Sequence, residues 1–497
     1  MQSYTTLSQT LKSHFSLLLY NRAAQKLVLI GIFALVGTAY VISTKAMTPA
    51  TGAEAESGSL SGASVVSSTR ASGGSAVKFG NGVPQFNVRN YGAVGDNATN
   101  DTTKIQAAIN AAGQVGGIVV VPAGTYLITQ PLSVPANVTI SGTGTIRQST
   151  TATYGLWIKG NNVTVDGIGL VGANNNLSYR DSEYAIYGAG TAVTPLQNIT
   201  IKNASISKWG AYGIRLEHLQ DFVLSDNTVT DIGYSGIGVL TARQGSILNN
   251  TIDNITPGSS GNMYGIAMSF VGDEDPSTDI VVRGNTVSRV AWECIDTHGG
   301  SRLTIDNNKA LSCGVGVAIV NGLVAERTSK DIVITNNYID AQKDTITAKD
   351  NGIILQGYDD GQGTITPVTG RISGNTIRRV QVGVYFWFTS GIEISNNNFE
   401  ECIGWGVFAL QNNTNFHITN NNFTDIWSNS TWTAAIHTGS SGGTNTGVIS
   451  GNSLLRGTKQ ATYINQYGYY YRGGMAGVSL SSNNFTQATV AAVAGEP

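Results

Sequence analysis

The feature that most constrains this chain is a repeat. From about residue 198 onward one unit recurs: an apolar strand, Asn-x-apolar, a few polar residues, then Gly-apolar-x-apolar. Residues 222–240 (FVLSDNTVTDIGYSGIGVL) and 448–464 (VISGNSLLRGTKQATYI) are two copies. The recurring asparagine falls at Asn203, Asn227, Asn250, Asn285, Asn308, Asn337, Asn375, Asn397, Asn421, Asn452 and Asn483, with gaps that never fall below 22 residues. A unit of that length with two or three short strands cannot bury its own apolar face, so successive units must stack as a solenoid. Leucine-rich repeats need Leu-x-x-Leu-x-Leu, which is absent, and propeller blades are about twice as long. What remains is an all-β parallel β-helix, right-handed by the crossover rule. Each recurring asparagine is expected at a corner, tolerating left-handed geometry and bonding its equivalent one coil above.

Composition agrees. Charged residues make up 12% of the chain and hydrophobic ones 41%, against about 25% charge in an ordinary domain. Low charge with ordinary apolar content excludes disorder. A formal net charge of −2 leaves no basic field for a nucleic-acid backbone. Three cysteines form neither a disulfide framework nor a zinc pattern, and Cys294 and Cys313 are read as buried thiols rather than a bridge.

The first 82 residues are organised differently. Residues 27–43 are uncharged and apolar, bounded by Lys26 and Lys45, the short end of what spans a bilayer. With Arg22 and Lys26 ahead of it, residues 1–26 are expected in the cytoplasm, 27–44 as a transmembrane signal anchor, and the body outside; secretion after signal cleavage is the alternative. Residues 45–82 have linker composition, and within them residues 53–80 resemble the opening strands of β-sandwich carbohydrate-binding modules. Residues 83–497 form the β-helix domain.

An open solenoid end needs a cap. Residues 100–112 (NDTTKIQAAINAA) supply an amphipathic helix, with Ile105, Ala108, Ile109 and Ala112 on one face and Asn100 or Asp101 as N-cap. This helix belongs to residues 86–128 (FNVRNYGAVGDNATNDTTKIQAAINAAGQVGGIVVVPAGTYLI), which resemble the N-terminal signature of the pectate-lyase superfamily: polygalacturonase-type hydrolases, polysaccharide lyases, mannuronan C5-epimerases and phage tailspikes. The resemblance implies the β-helix fold and a polysaccharide partner. Tailspike relatives make a trimer admissible, though nothing in the sequence demands one.

Strand parity locates the site. On the Gly-apolar-x-apolar strands one parity is apolar (Ile214 and Leu216, Ile237 and Val239, Ile266 and Met268) and points inward. The other parity is outward: Arg215 and Glu217, Gly238 and Leu240, Ala267 and Ser269, Asp296 and His298, Ala318 and Val320, Ile354 and Gln356, Tyr385 and Trp387. This reads as a saccharide groove. Tyr385 and Trp387 suit ring stacking, Arg215 and Arg243 suit a uronate carboxylate, and Ser269, Asn321 and Gln356 add hydrogen-bonding positions.

At its middle, His298 stands beside a carboxylate two residues earlier, which raises a histidine's pKa and fixes its orientation; a solvated surface histidine is the alternative. The element 292–300 (WECIDTHGG) resembles the Asp-Pro-His-Glu site of mannuronan C5-epimerases, with Thr297 and Gly299 in place of Pro and Glu. In that family a Tyr lies three residues before the Asp; here Glu293 holds the place and Tyr264 lies in the same register one coil earlier. The resemblance implies Asp296, His298, Tyr264 and Glu293 as catalytic residues of a lyase or C5-epimerase acting by proton abstraction at C5. A glycoside hydrolase needs two carboxyls about 5–9.5 Å apart, which Asp296 with Glu293 or with an acid of residues 273–275 would have to supply. A non-catalytic glycan binder is the third class. The loop Asp273-Glu274-Asp275 offers oxygen ligands for Ca²⁺, although an exposed acidic loop is the plainer reading, and no metal site is assigned.

Overall fold

The computed structural model describes residues 63–67, 75–79 and 83–496, apart from 152, 176–177, 257–261, 323, 343–349, 428–432, 440–442, 459–465 and 474–476. The expected anchor at 27–44, the cytoplasmic segment and most of the linker lie outside the described residues. Among those described, no helix is long and apolar enough to cross a membrane. Residues 1–82 and 83–497 are separate compact units. Of the first, the described part is an antiparallel pair, Ala63–Ser67 with Ser75–Phe79.

The second unit is a parallel β-helix. Each coil contributes three short strands. Two of the rows join in a 28-stranded sheet and the third forms a 14-stranded sheet. Tyr212–Ser225 and Ser235–Leu248 run unbroken round the corner between the two joined rows. Period-2 alternation sets the register, because slipping by one residue would turn every core side chain to solvent. Ile214 therefore stacks on Ile237, Ile266, Ile295, Val317, Ile353 and Val384, all buried. At the N-terminal end, the helix Thr102–Gly113 buries Ile105, Ala108, Ile109 and Ala112. Asp101 holds the N-cap position without capping: its carboxylate accepts from the Val94 and Gly95 amides at 2.8 and 2.9 Å. Asn100 accepts instead from the Thr102 amide and hydroxyl.

The recurring asparagines form one ladder, buried from Asn227 to Asn452 and ending at the half-buried Asn483. The Asn227 side-chain amide donates to Ile201 O and to Asn250 Oδ1, both at 2.9 Å. The same pair of bonds recurs at Asn250, Asn308, Asn337 and Asn421. Two details differ from expectation. The left-handed residue is the one before the ladder position, as at Asp226, Asn249, Asn307 and Asn336 (φ 53–56°), so chain reversal and hydrogen bonding are divided between neighbours. Asn203 is itself such a left-handed residue (φ 54°); Ala204 takes the ladder place and donates its amide to Asn227 Oδ1.

The cysteines also depart from expectation. Cys294 and Cys313 are disulfide-bonded across adjacent coils, with Cα atoms 5.8 Å apart. Glu293 pairs with Val315, so linear alignment sets the two cysteines three positions out of step; the corner at Ser312 (φ 55°) turns Cys313 back onto the coil that carries Cys294. Cys402 is a free buried thiol.

Candidate functional site

The outward row follows the expected register: Arg215, Gly238, Ala267, Asp296, Ala318, Ile354 and Tyr385 lie one above another. Glu217, Leu240 and Ser269 form the parallel row, continued by His298 over Val320 and Gln356 over Trp387. Simple alternation would put Glu293 and Tyr264 inside. It fails at the corner because two consecutive residues face the core: Cys294 and Ile295 are both fully buried, and a Cβ on Gly265 would meet the Val287 side chain at 2.2 Å. The residue before each such pair is turned outward, which brings Tyr264 and Glu293, paired in register, beside Asp296 and His298.

Asp296 is 1% exposed, and its Oδ2 lies 3.0 Å from His298 Nδ1. A carboxylate only accepts, so in the neutral imidazole Nδ1 carries the proton and Nε2 keeps the lone pair. Burial pulls the His298 pKa down, but the Asp296 charge and hydrogen bond outweigh it, and the net shift is upward from 6.5. The dyad is fixed from behind: buried Thr297 donates its hydroxyl to Met268 O at 2.6 Å and accepts from the Gly300 amide. Gly299 has φ 78°, and a Cβ there would meet Arg327 O at 1.9 Å. The glutamate that the epimerase motif carries at this position therefore has no room in this chain.

Two further groups complete the cluster. Burial, reinforced by the Asp296 charge, pushes the Glu293 carboxyl up to about 9, so at neutral pH Glu293 is protonated and can donate; Asp296 Oδ1 is buried with no bonded partner. Burial and the same charge raise Tyr264 well above the usual phenol range, leaving it a proton donor. Its ring meets that of His298 edge-on at 6.2 Å. Tyr264 and His298 line two clefts at once. One, of about 210 Å³, is bounded by Tyr212, Tyr234, Ser269, Phe270 and Asp296. The other, of about 310 Å³, is bounded by Trp292, Glu293, Asn321, Gln356 and Trp387. The histidine and the tyrosine thus form the saddle of one groove.

Other expected residues separate. Tyr385 stacks on Phe408 and packs against Trp387, with centroids 5.1 and 4.8 Å apart. Arg215 is matched by Glu217, Nε to Oε1 at 2.6 Å, and sits over the rings of Tyr184 and Tyr212. Arg243 is not in this groove. The chain turns at Thr241 (φ 51°), and Arg243 lines clefts on the neighbouring face. In the acidic loop, Glu274 pairs with His218 at 2.5 Å and Asp273 lies 3.7 Å from Arg327. No three His, Cys, Asp or Glu side chains converge as a metal site among the described residues.

Sequence reasoning missed the tyrosine wall. Tyr154, Tyr184, Tyr212, Tyr234 and Tyr264 form a chain of ring contacts, 5.3–5.5 Å between centroids, that ends on His298. Its signal was present: Tyr-small-Ile/Leu opens the strands at 154, 184, 212 and 264.

Comparison with known proteins agrees with this fold. Residues 85–318 match the family model described as rhamnogalacturonase A/epimerase, pectate lyase-like, and residues 259–457 match that of the periplasmic copper-binding protein NosD. Mannuronan C5-epimerase AlgE3 of Azotobacter vinelandii is 28% identical over 191 residues, 34% of this chain but 10% of the epimerase; the chain spans only a small part of that relative. The catalytic unit of an α-1,3-glucanase from Streptomyces thermodiastaticus superposes with a TM-score of 0.59 at 19% identity, covering 77% of this chain and 72% of the other. The A-module of A. vinelandii mannuronan C-5 epimerase AlgE6 gives 0.51 at 17%, covering 75% and 99%. Likeness at such identities speaks for the fold alone.

Proposed function

The chain is a pectate-lyase-like parallel β-helix protein, and from that premise we propose that it is an extracytoplasmic polysaccharide-active enzyme, a lyase or C5-epimerase on uronate-containing polysaccharide. The observation that carries this reading is the Asp296–His298 dyad set between a phenol and a carboxylic acid that both keep their protons at neutral pH.

Neutral His298, held by Asp296 through Nδ1, takes the C5 proton at Nε2, and the electron pair moves into the substrate carboxyl. Glu293 donates a hydrogen bond to the charge that develops there, as preorganised donors do in water-poor sites. Tyr264 is the acid. Its proton delivered to C5 from the opposite face gives the epimer; delivered to the C4 oxygen as that bond breaks, it gives a chain end with a C4–C5 double bond. Hydrolysis is the weaker reading, because Glu293 and Asp296 are both buried and belong to one strand, whereas a glycosidase sets its two carboxyls on either side of the bond it cuts.

Two observations support export. A disulfide on the catalytic coil persists in oxidising compartments, and the second matched family is described as periplasmic. The anchor at 27–44 would keep the enzyme at the outer side of the cytoplasmic membrane. Proton NMR of polyuronates incubated with the full chain tests the reaction. New vinyl signals or a changed ratio of C5 epimers are expected; chain shortening with neither would replace this reading with hydrolysis.

A further inference from the structure

The face next to the groove, reached round the corner at Thr241, carries a feature that the chemistry at His298 does not use. Gln197, Gln220, Arg243, Thr278 and Ser301 fall in one register row, each paired with the next. Five successive coils thus present an outward side chain that can hydrogen-bond, none of them a carboxylate. Stacked strands lie about 4.8 Å apart, so the row is about 19 Å long. It is the floor of two clefts that share Gln220 and Arg243, of about 310 and 500 Å³. Gln220 Nε2 donates to Gln244 Oε1 at 3.0 Å, which orients both amides. The Arg302 guanidinium holds Asp279 with both prongs, at 2.6 and 2.7 Å; Asp275 and Glu326 also line the larger cleft. Arg243 is exposed and makes no ion pair among the described residues.

We propose that this trough is a second, non-catalytic binding site for a glycan strand, with Arg243, which unlike Arg302 is not bound to a carboxylate among the described residues, as its cation for an acid group on the chain. The chemistry of the row selects the occupant. A polysaccharide offers a hydroxyl-rich edge that repeats on the scale of one sugar, and the row offers a donor or acceptor at every coil. Apolar side chains wall mainly one end, at Val193, Pro195 and Leu219, too little for the apolar core a protein segment requires, and the dense positive charge a nucleic acid requires is missing. The groove at His298 and this trough run through the same coils on adjacent faces, so the enzyme would hold a polymer at two places and gain effective concentration from the second. The inference rests on a glycan partner and is independent of the reaction at His298.

Affinity electrophoresis of the full chain through gels containing polygalacturonate, alginate or dextran tests it. Wild type and His298→Ala are expected to be retarded equally by at least one polymer. The double variant Gln220→Ala/Arg243→Ala should lose at least five-fold of that retardation while its initial rate on short oligosaccharides stays within two-fold. Loss of retardation in the double variant would uphold the trough even if no substrate is ever turned over. Unchanged retardation in that variant, no retardation by any of the three polymers, or a parallel fall in the rate on short oligosaccharides would overturn it.

Discussion

Asn337 and Asp296 stand in two rows that run through the same solenoid and are built on opposite terms. The asparagine ladder repeats one residue from Asn227 to Asn483, each side chain as far as Asn452 bonded to its equivalent above and to a main-chain carbonyl below. The groove row changes at almost every coil, through Arg215, Gly238, Ala267, Asp296, Ala318, Ile354 and Tyr385. A buried position in a stack has one solution, repeated, because an unmatched polar group there loses its bonds in both directions. An outward position is released from that demand and can carry chemistry. In this fold monotony marks structure, and the coil that breaks it marks the site.

The largest break in the comparison should come from the dyad. His298→Ala is expected to lower turnover by about 10²- to 10⁴-fold with little change in stability, since the imidazole is one-third exposed; unchanged turnover in a folded variant would remove it from the mechanism. Asn337→Ala should do the reverse. It strands the Asn308 amides and Ile305 O, at a cost of about 3 kcal/mol in urea unfolding, with turnover per folded molecule kept.

The pH profile sharpens the same contrast. Activity should rise with pH through a limb above 6.5, as His298 loses its proton, and fall near 9 as Glu293 ionises; Glu293→Gln should remove the alkaline limb. For stability the sign follows from both folded-state pKa values lying above the unfolded ones. The native state binds the extra protons, so their contribution is complete below about 4.5 and is lost as pH rises through about 9. Asn337→Ala should leave both limbs where they are. The smallest effect is expected from Trp387→Ala, which removes a cleft wall without touching the dyad: KM rises by about 3- to 10-fold and kcat holds.

Much of this was legible in the sequence because alternation is a local rule. It fixed which of Ile295, Asp296 and His298 faces out, and it stacked Gln356 on Trp387. It failed where the chain turns. Thr241 carries Arg243 to the next face; Tyr234 sits at a corner outside any strand; the corner at Ser312 swings Cys313 onto Cys294. A corner depends on left-handed residues and on packing against the next coil, and neither leaves a period to read. The tyrosine wall was missed for another reason, since its residues open the strands and lie ahead of the alternating positions.

The central claim is that His298 moves the C5 proton, and solvent exchange tests it most directly. The full chain is incubated with a polyuronate substrate in heavy water, and deuterium at C5 is followed by proton NMR. The account predicts incorporation by the wild type and at least a hundred-fold slower incorporation by His298→Ala. Deuterium entering equally with both proteins, or turnover with none at C5, would contradict it.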